Sequence, residues 1–127
     1  MIREATSKDV SVIKSLILEE VQVQGWGEQY PADEHTIEVV VKFHVRNKDA
    51  IVFVYEENDK VVGTLVGALL PYLLDIRQHA AHEKMSAGLN KEGLWEQFTK
   101  WAKENDAPVI VKGCYNQDKD KRLRRVE

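Results

Sequence analysis

The sequence is poor in several things that would announce a class of protein. It holds one cysteine, Cys114, in 127 residues. No internal disulfide can form, which fits a reducing, cytoplasmic setting. Cys114 follows the apolar run 108–111, where a free cysteine packs as a small hydrophobe. Three prolines and seven glycines are too few for a fibrous or low-complexity chain. No apolar run approaches the ~20 residues needed to cross a bilayer. The N-terminal residues Arg3, Glu4, Lys8 and Asp9 are too polar for a secretory signal. Charge of one sign is not in excess either, with 21 acidic and 18 basic residues and a net charge of -3. No global positive field therefore draws the chain to nucleic acid or anionic lipid, and neither is expected as a partner. The local run Lys119, Lys121, Arg122, Arg124 and Arg125 reads as a solvated helix face.

What is present is the composition of an ordinary globular protein, 43% hydrophobic and 31% charged. The length suits a single domain spanning 1–127, with one buried core. No repeat or linker interrupts it. Met1 to Ala5 reads as a short strand. Thr6-Ser7-Lys8-Asp9 then offers capping hydroxyls and an early acidic residue to a helix. Val10, Val12, Ile13, Leu16, Ile17 and Val21 recur at helical spacing behind it. Gly25, Gly27 and Pro31 break that helix. Asp33 can cap a second one with Ile37, Val40, Val41, Phe43 and Val45 as its apolar face, although their β-branching leaves a strand reading open.

The clearest pattern lies in the middle. Two apolar runs, 50–55 and 61–70, flank the polar stretch Glu56-Glu57-Asn58-Asp59-Lys60, which predicts an antiparallel hairpin covered on both faces. After Pro71 the pattern weakens, and residues 71–85 suit either a helix or a strand. If helical, they would bring Asp75, His79, His82 and Glu83 onto one face. That order is not the HExxH of a zinc hydrolase and no further committed ligand is evident, so a solvated helix face is expected and no metal. Residues 86–93 read as a small-residue loop or helix start, with Ser86 or Asn90 as cap. Leu94, Trp95, Phe98, Trp101 and Ala102 stripe a helix, Pro108 to Lys112 forms a strand, and the stretch from Asn116 looks helical.

Met1-Ile2-Arg3-Glu4-Ala5 running into a capped helix, the "V-V-G" arm Val61-Val62-Gly63, and Trp101 to Asn105 followed by Pro108 to Val111 together resemble the GNAT acetyltransferases over roughly residues 1 to 117. The resemblance implies an α/β fold with a mixed, mainly antiparallel sheet flanked by helices. It also implies acetyl-CoA as co-substrate and a small amine or a protein amine as acceptor. The family's closing C-terminal strands are missing before Glu127, so a homodimer through the open sheet edge, or a rearranged C-terminus, is expected.

The resemblance also assigns residues. The family holds the coenzyme diphosphate on a loop of pattern Q/R-x-x-G-x-G/A at a helix N-terminus, where converging N–H groups and the helix dipole favour anions. The matching segment is Met85 to Gly93, with Gly88, Leu89 and Asn90 as the cofactor-binding backbone. It lacks the basic residue and the tight glycine pair, and the span from Glu83 to Ala87 leaves little room for the preceding strand. Asn116 matches an asparagine that contacts the coenzyme arm. The family's thiolate-protonating tyrosine falls near Leu123, which has no proton to give. Glu83 takes the place of the family's general base, the carboxylate that removes the proton of the attacking amine. Trp26, Tyr30 and His35 would wall the acceptor pocket or staple the loop to the core. Two functions follow from these residues: an N-acetyltransferase, or a GNAT-derived binding or structural module, such as a phage-encoded accessory protein, that has lost turnover and acts through protein partners.

Overall fold

The computed structural model describes residues 1–25, 32–72 and 74–113. Cys114, Asn116, Leu123 and the basic C-terminal run, and Trp26 and Tyr30, lie outside the described residues. The elements run in the order β1 (Ile2–Glu4), a 3-10 turn (Ser7–Asp9), α1 (Val10–Val23), α2 (Glu34–Arg46), β2 (Ala50–Glu57), β3 (Lys60–Tyr72), β4 (Asp75–Gly88), α3 (Lys91–Glu104) and β5 (Ile110–Val111). Among the described residues they make a five-stranded sheet in sequence order, antiparallel from β1 to β4 and parallel between β4 and β5.

The N-terminal motif has a local physical cause. Thr6 and Asp9 form a reciprocal capping box, which satisfies N–H groups that the first turn would otherwise orphan. Arg3 donates to both oxygens of Asp9, at 2.8 and 3.0 Å, and its Nε donates to Glu56 at 2.6 Å. One guanidinium thus ties β1 to the helix entry and to the end of β2. The β2–β3 hairpin turns at Asn58 and Asp59, both at positive φ, the pair of conformations that a two-residue hairpin loop demands.

The sheet is covered on both faces, as its continuous apolar runs predict. On one face Val52, Val54 and Val66 pack against Val10, Ile13 and Ile17 of α1 and Val41 of α2. On the other, Ile51, Phe53 and Leu65 pack against Leu94, Phe98 and Ala102 of α3. Gly67 of β3 makes room for α3: a Cβ there would overlap the Phe98 ring.

Two expectations are corrected. Residues 75–88 are all strand, so Asp75, His79, His82 and Glu83 do not share a helix face. Among the described residues no group of three or more His, Cys, Asp or Glu side chains is placed to hold a metal. The strand begins early enough that the segment before Gly88 is not too short, and it contains Ser86, which is therefore not a helix cap. The second correction concerns α2, a helix capped by Asp33 whose expected face packs against the core through Ile37, Val41 and Val45 but not through its other two residues. Val41 and His44 point inward, while Val40 and Phe43 are exposed. No helix among the described residues is long and apolar enough to cross a membrane.

Candidate functional site

The sheet changes character at one point. Strand β4 pairs with β5 only at Ala81 with Ile110 and His82 with Val111. Immediately beyond, β4 carries a bulge: Val66 faces Met85 and Gly67 faces Glu83, leaving Lys84 as the extra residue. A bulge bends its strand and disrupts the ladder locally. From Lys84 to Gly88 the outer edge of β4 has no strand partner among the described residues. At 3.3 Å per residue, that open edge runs roughly 13 Å from the bulge to the tip of α3.

Glu83 stands just past the last described β4–β5 pair. Its side chain is buried on the α3 side of the sheet. One carboxylate oxygen accepts from the Gly113 N–H at 3.0 Å and the other from the Ser86 hydroxyl at 2.5 Å. The chain after β5 is thus held by a side chain where a backbone ladder would otherwise continue. Gly113 is required by that closeness, since a Cβ would meet the Glu83 carbonyl.

The bulge places Lys84 on the opposite face together with Met85, which packs with the α1 and α2 core. Lys84 Nζ lies 2.9 Å from His44 Nε2, and His44 Nδ1 lies 2.8 Å from the Val40 carbonyl oxygen. A carbonyl only accepts, so Nδ1 carries the proton and Nε2 presents a lone pair to the lysine. Burial, with the nearby Lys84 charge, holds the His44 pKa below its ordinary value, against the bond to Val40. The sequence reading missed both residues. A signal existed for His44: it falls three residues after Val41, on the apolar register of α2.

At the far end of the open edge, Gly88 has φ of +80°, a conformation costly for any residue with a Cβ. Asn90, itself left-handed, caps α3 by accepting from the Gly93 N–H at 3.2 Å. A carboxylate is already seated there. Glu20 of α1 accepts from the Gly88 N–H at 3.2 Å and from Lys91 Nζ at 2.6 Å. Burial alone would raise the Glu20 carboxyl, but hydrogen bonds from Lys91, Gln24 and the Gly88 N–H outweigh it and hold the pKa below the usual range. The Leu89 N–H is taken by the Val62 carbonyl at 2.9 Å. Of the three expected cofactor-binding residues here, Gly88 and Leu89 have committed amides, and Asn90 spends its side chain on the cap. An open depression of about 300 Å³ lies beside this tip, between Leu16, Glu20 and Val23 of α1 and Val61, Val62 and Leu89. His35 is exposed in the first turn of α2.

Among the described residues the protein is a mixed five-stranded sheet with helices on both faces, the architecture of the GNAT acetyltransferase fold. The comparisons with solved structures show that this chain has it. A predicted acetyltransferase from Clostridium acetobutylicum, solved with acetyl-CoA, superposes with a TM-score of 0.75 at 16% identity, over 97% of this chain and 84% of that one. Ribosomal-protein-alanine N-acetyltransferase from Brucella melitensis biovar Abortus 2308 gives 0.65 at 14% identity, over 89% and 78%. An aminoglycoside acetyltransferase from an uncultured soil metagenomic sample, in complex with sisomicin, gives 0.66 at 15% identity, over 99% and 82%. No protein-family model matches the sequence, and no curated protein matches it.

Proposed function

We propose that the protein is an acetyl-CoA-dependent N-acetyltransferase that transfers an acetyl group to an amine. The observation that carries this reading is the edge of β4 that has no strand partner among the described residues, which begins at a bulge and ends at a helix tip where donors converge on an anion. An extended thread with amide groups can pair with such an edge as an added strand would. The tip also fits a diphosphate chemically, because the Gly88 N–H and the Lys91 ammonium already hold a stand-in anion, the Glu20 carboxylate. Acetyl-CoA would supply the activated thioester. The chain's own part is to orient it along β4 and to remove a proton from the attacking amine.

Two groups lie beside the end of the described β4–β5 ladder. Glu83, the carboxylate first expected to take the proton, accepts from Ser86 and Gly113. We assign it to positioning, as the tie between β4 and the chain after β5. His44, neutral and with Nε2 turned toward the bulge, is the better placed proton acceptor.

The Glu20 contacts favour a second reading, a binding module of the same fold without turnover, in which the anion seat is permanently filled from within. Calorimetric titration with acetyl-CoA separates the two. The enzyme reading expects measurable binding that tightens in Glu20→Gln, since the change removes a negative charge from the seat while leaving Lys91 in place. No heat from either protein at high micromolar concentration would sink it.

A further inference from the structure

We infer that Lys84 is itself an acyl acceptor, a site of self-acylation in which His44 takes the amine proton. This inference deepens the transferase reading and rests on it for the natural acyl donor. It starts from an arrangement of three groups. An amine, Lys84 Nζ, lies 2.9 Å from an imidazole lone pair, and the other ring nitrogen is fixed 2.8 Å from the Val40 carbonyl. A nucleophile within reach of a base, with the base oriented by a third group, is the general signature of an activated nucleophile.

The fold explains how the pair meets. Without the bulge, side chains along β4 would alternate strictly, and a residue following Glu83 would be followed by one on the α3 face. The extra residue puts Lys84 and Met85 on the same face, and Lys84 then reaches across to α2. The lysine is exposed while the histidine is buried, so the nucleophile is open to a donor and its base is shielded from water. Lys84 is also the residue at which the open edge of β4 begins, the end remote from the anion seat at Gly88 and Lys91. A thioester whose diphosphate is held at that seat would present its reactive end toward the bulge. Lys84 Nζ already sits beside His44 Nε2, so an external amine would have to displace it to use the same base.

The step balances without any further reactant. The neutral fraction of the Lys84 amine attacks the thioester carbon, and a C–N bond forms. The nitrogen gives its proton to His44 Nε2. The tetrahedral adduct collapses with cleavage of the C–S bond, and the departing thiolate takes up the proton from the imidazolium. The products are an N-acyl lysine and a thiol, and His44 returns to its neutral form. Because an amide does not pass its acyl group on, the acylated lysine is an end product, and its formation removes one positive charge from the face shared with His44 and His82.

The test incubates the folded chain separately with acetyl-CoA and with the acetyl thioester of N-acetylcysteamine, which carries no phosphate. Acetylation of each lysine is followed over time by peptide mass spectrometry. Lys84 is expected to be acetylated about tenfold or more faster than the exposed Lys48 and Lys60, and the lead is expected to disappear in His44→Gln. The urea-unfolded wild-type chain gives a control that needs no variant, since unfolding must level the rates. Labelling by the small thioester but not by acetyl-CoA supports the lysine–histidine pair and overturns the coenzyme reading instead. The inference is overturned if folded Lys84 reacts no faster than the exposed lysines, or if its lead survives in a folded His44→Gln protein.

Discussion

At the scale of single residues, the informative positions are polar side chains standing where helical periodicity calls for apolar ones. Val10, Ile13 and Ile17 are buried along α1, and the next residue on that stripe is Glu20, also buried. In α2, His44 follows Val41 in the same way. Both are legible in the sequence as breaks in register, yet the partners that satisfy them, Lys91 and Lys84, come from 71 and 40 residues away. Periodicity can mark such a residue but cannot say what it touches. His44 gives a direct prediction. Its pKa is depressed in the fold, by burial first and by Lys84 second, so between that value and the ordinary ~6.5 the unfolded chain binds more protons. Stability must then be complete above about pH 6.5 and fall as pH drops through that window. His82, lowered by burial and by the same lysine, adds to the slope. Urea unfolding at several pH values between about 5 and 8 should show this rise, and His44→Gln should flatten part of it. An unchanged slope in the variant would mean that His44 is not held neutral.

At the scale of elements, legibility follows how far one period runs unbroken. The hairpin of β2 and β3 and the stripe of α3 were readable because apolar residues repeat without interruption. Strand β4 was not. Its first half is polar, with Asp75, Arg77, Gln78 and His79, because these residues extend past the end of β2, whose pairing with β3 stops at Ala50 with Ala68. Its second half loses the two-residue alternation at Lys84, where the bulge resets it. The same bulge stands where the β4 edge without a strand partner among the described residues begins, so the feature that makes the strand unreadable also marks the candidate site. Glu83 ties β4 to the chain after β5, and its removal should be felt locally. In Glu83→Ala the Gly113 N–H and the Ser86 hydroxyl lose a buried acceptor, at about 1–3 kcal/mol for each orphaned group. Hydrogen exchange should show protection lost first at Gly113 and along β5, with α1 and β2 little changed. Uniform loss across the sheet would argue against the tie.

At the scale of the whole molecule, two side-chain clusters share one sheet. Val54 and Leu65 lie on neighbouring strands and point to opposite faces, each fully buried, one under α1 and the other under α3. A sheet packed in this way leaves neither layer able to separate without exposing the strands that the other layer needs. The two helical layers should therefore melt together. Phe98 tests the coupling from one side, since its fully buried ring fills the space left by Gly67. Phe98→Ala removes the ring and leaves a cavity, costing about 3–5 kcal/mol, a large share of the roughly 5–15 kcal/mol that holds a domain folded. Trp95 and Trp101 pack on the α3 side, so with Trp26 replaced by Phe in both proteins their fluorescence reports that layer, while far-ultraviolet circular dichroism reports α1 and α2 as well. In wild type and variant alike the two signals should trace one transition, shifted to lower denaturant in the variant. If fluorescence changes first while the helical signal from the α1 and α2 layer persists, the sheet does not couple its faces, and the open edge of β4 would belong to a separately unfolding half of the molecule.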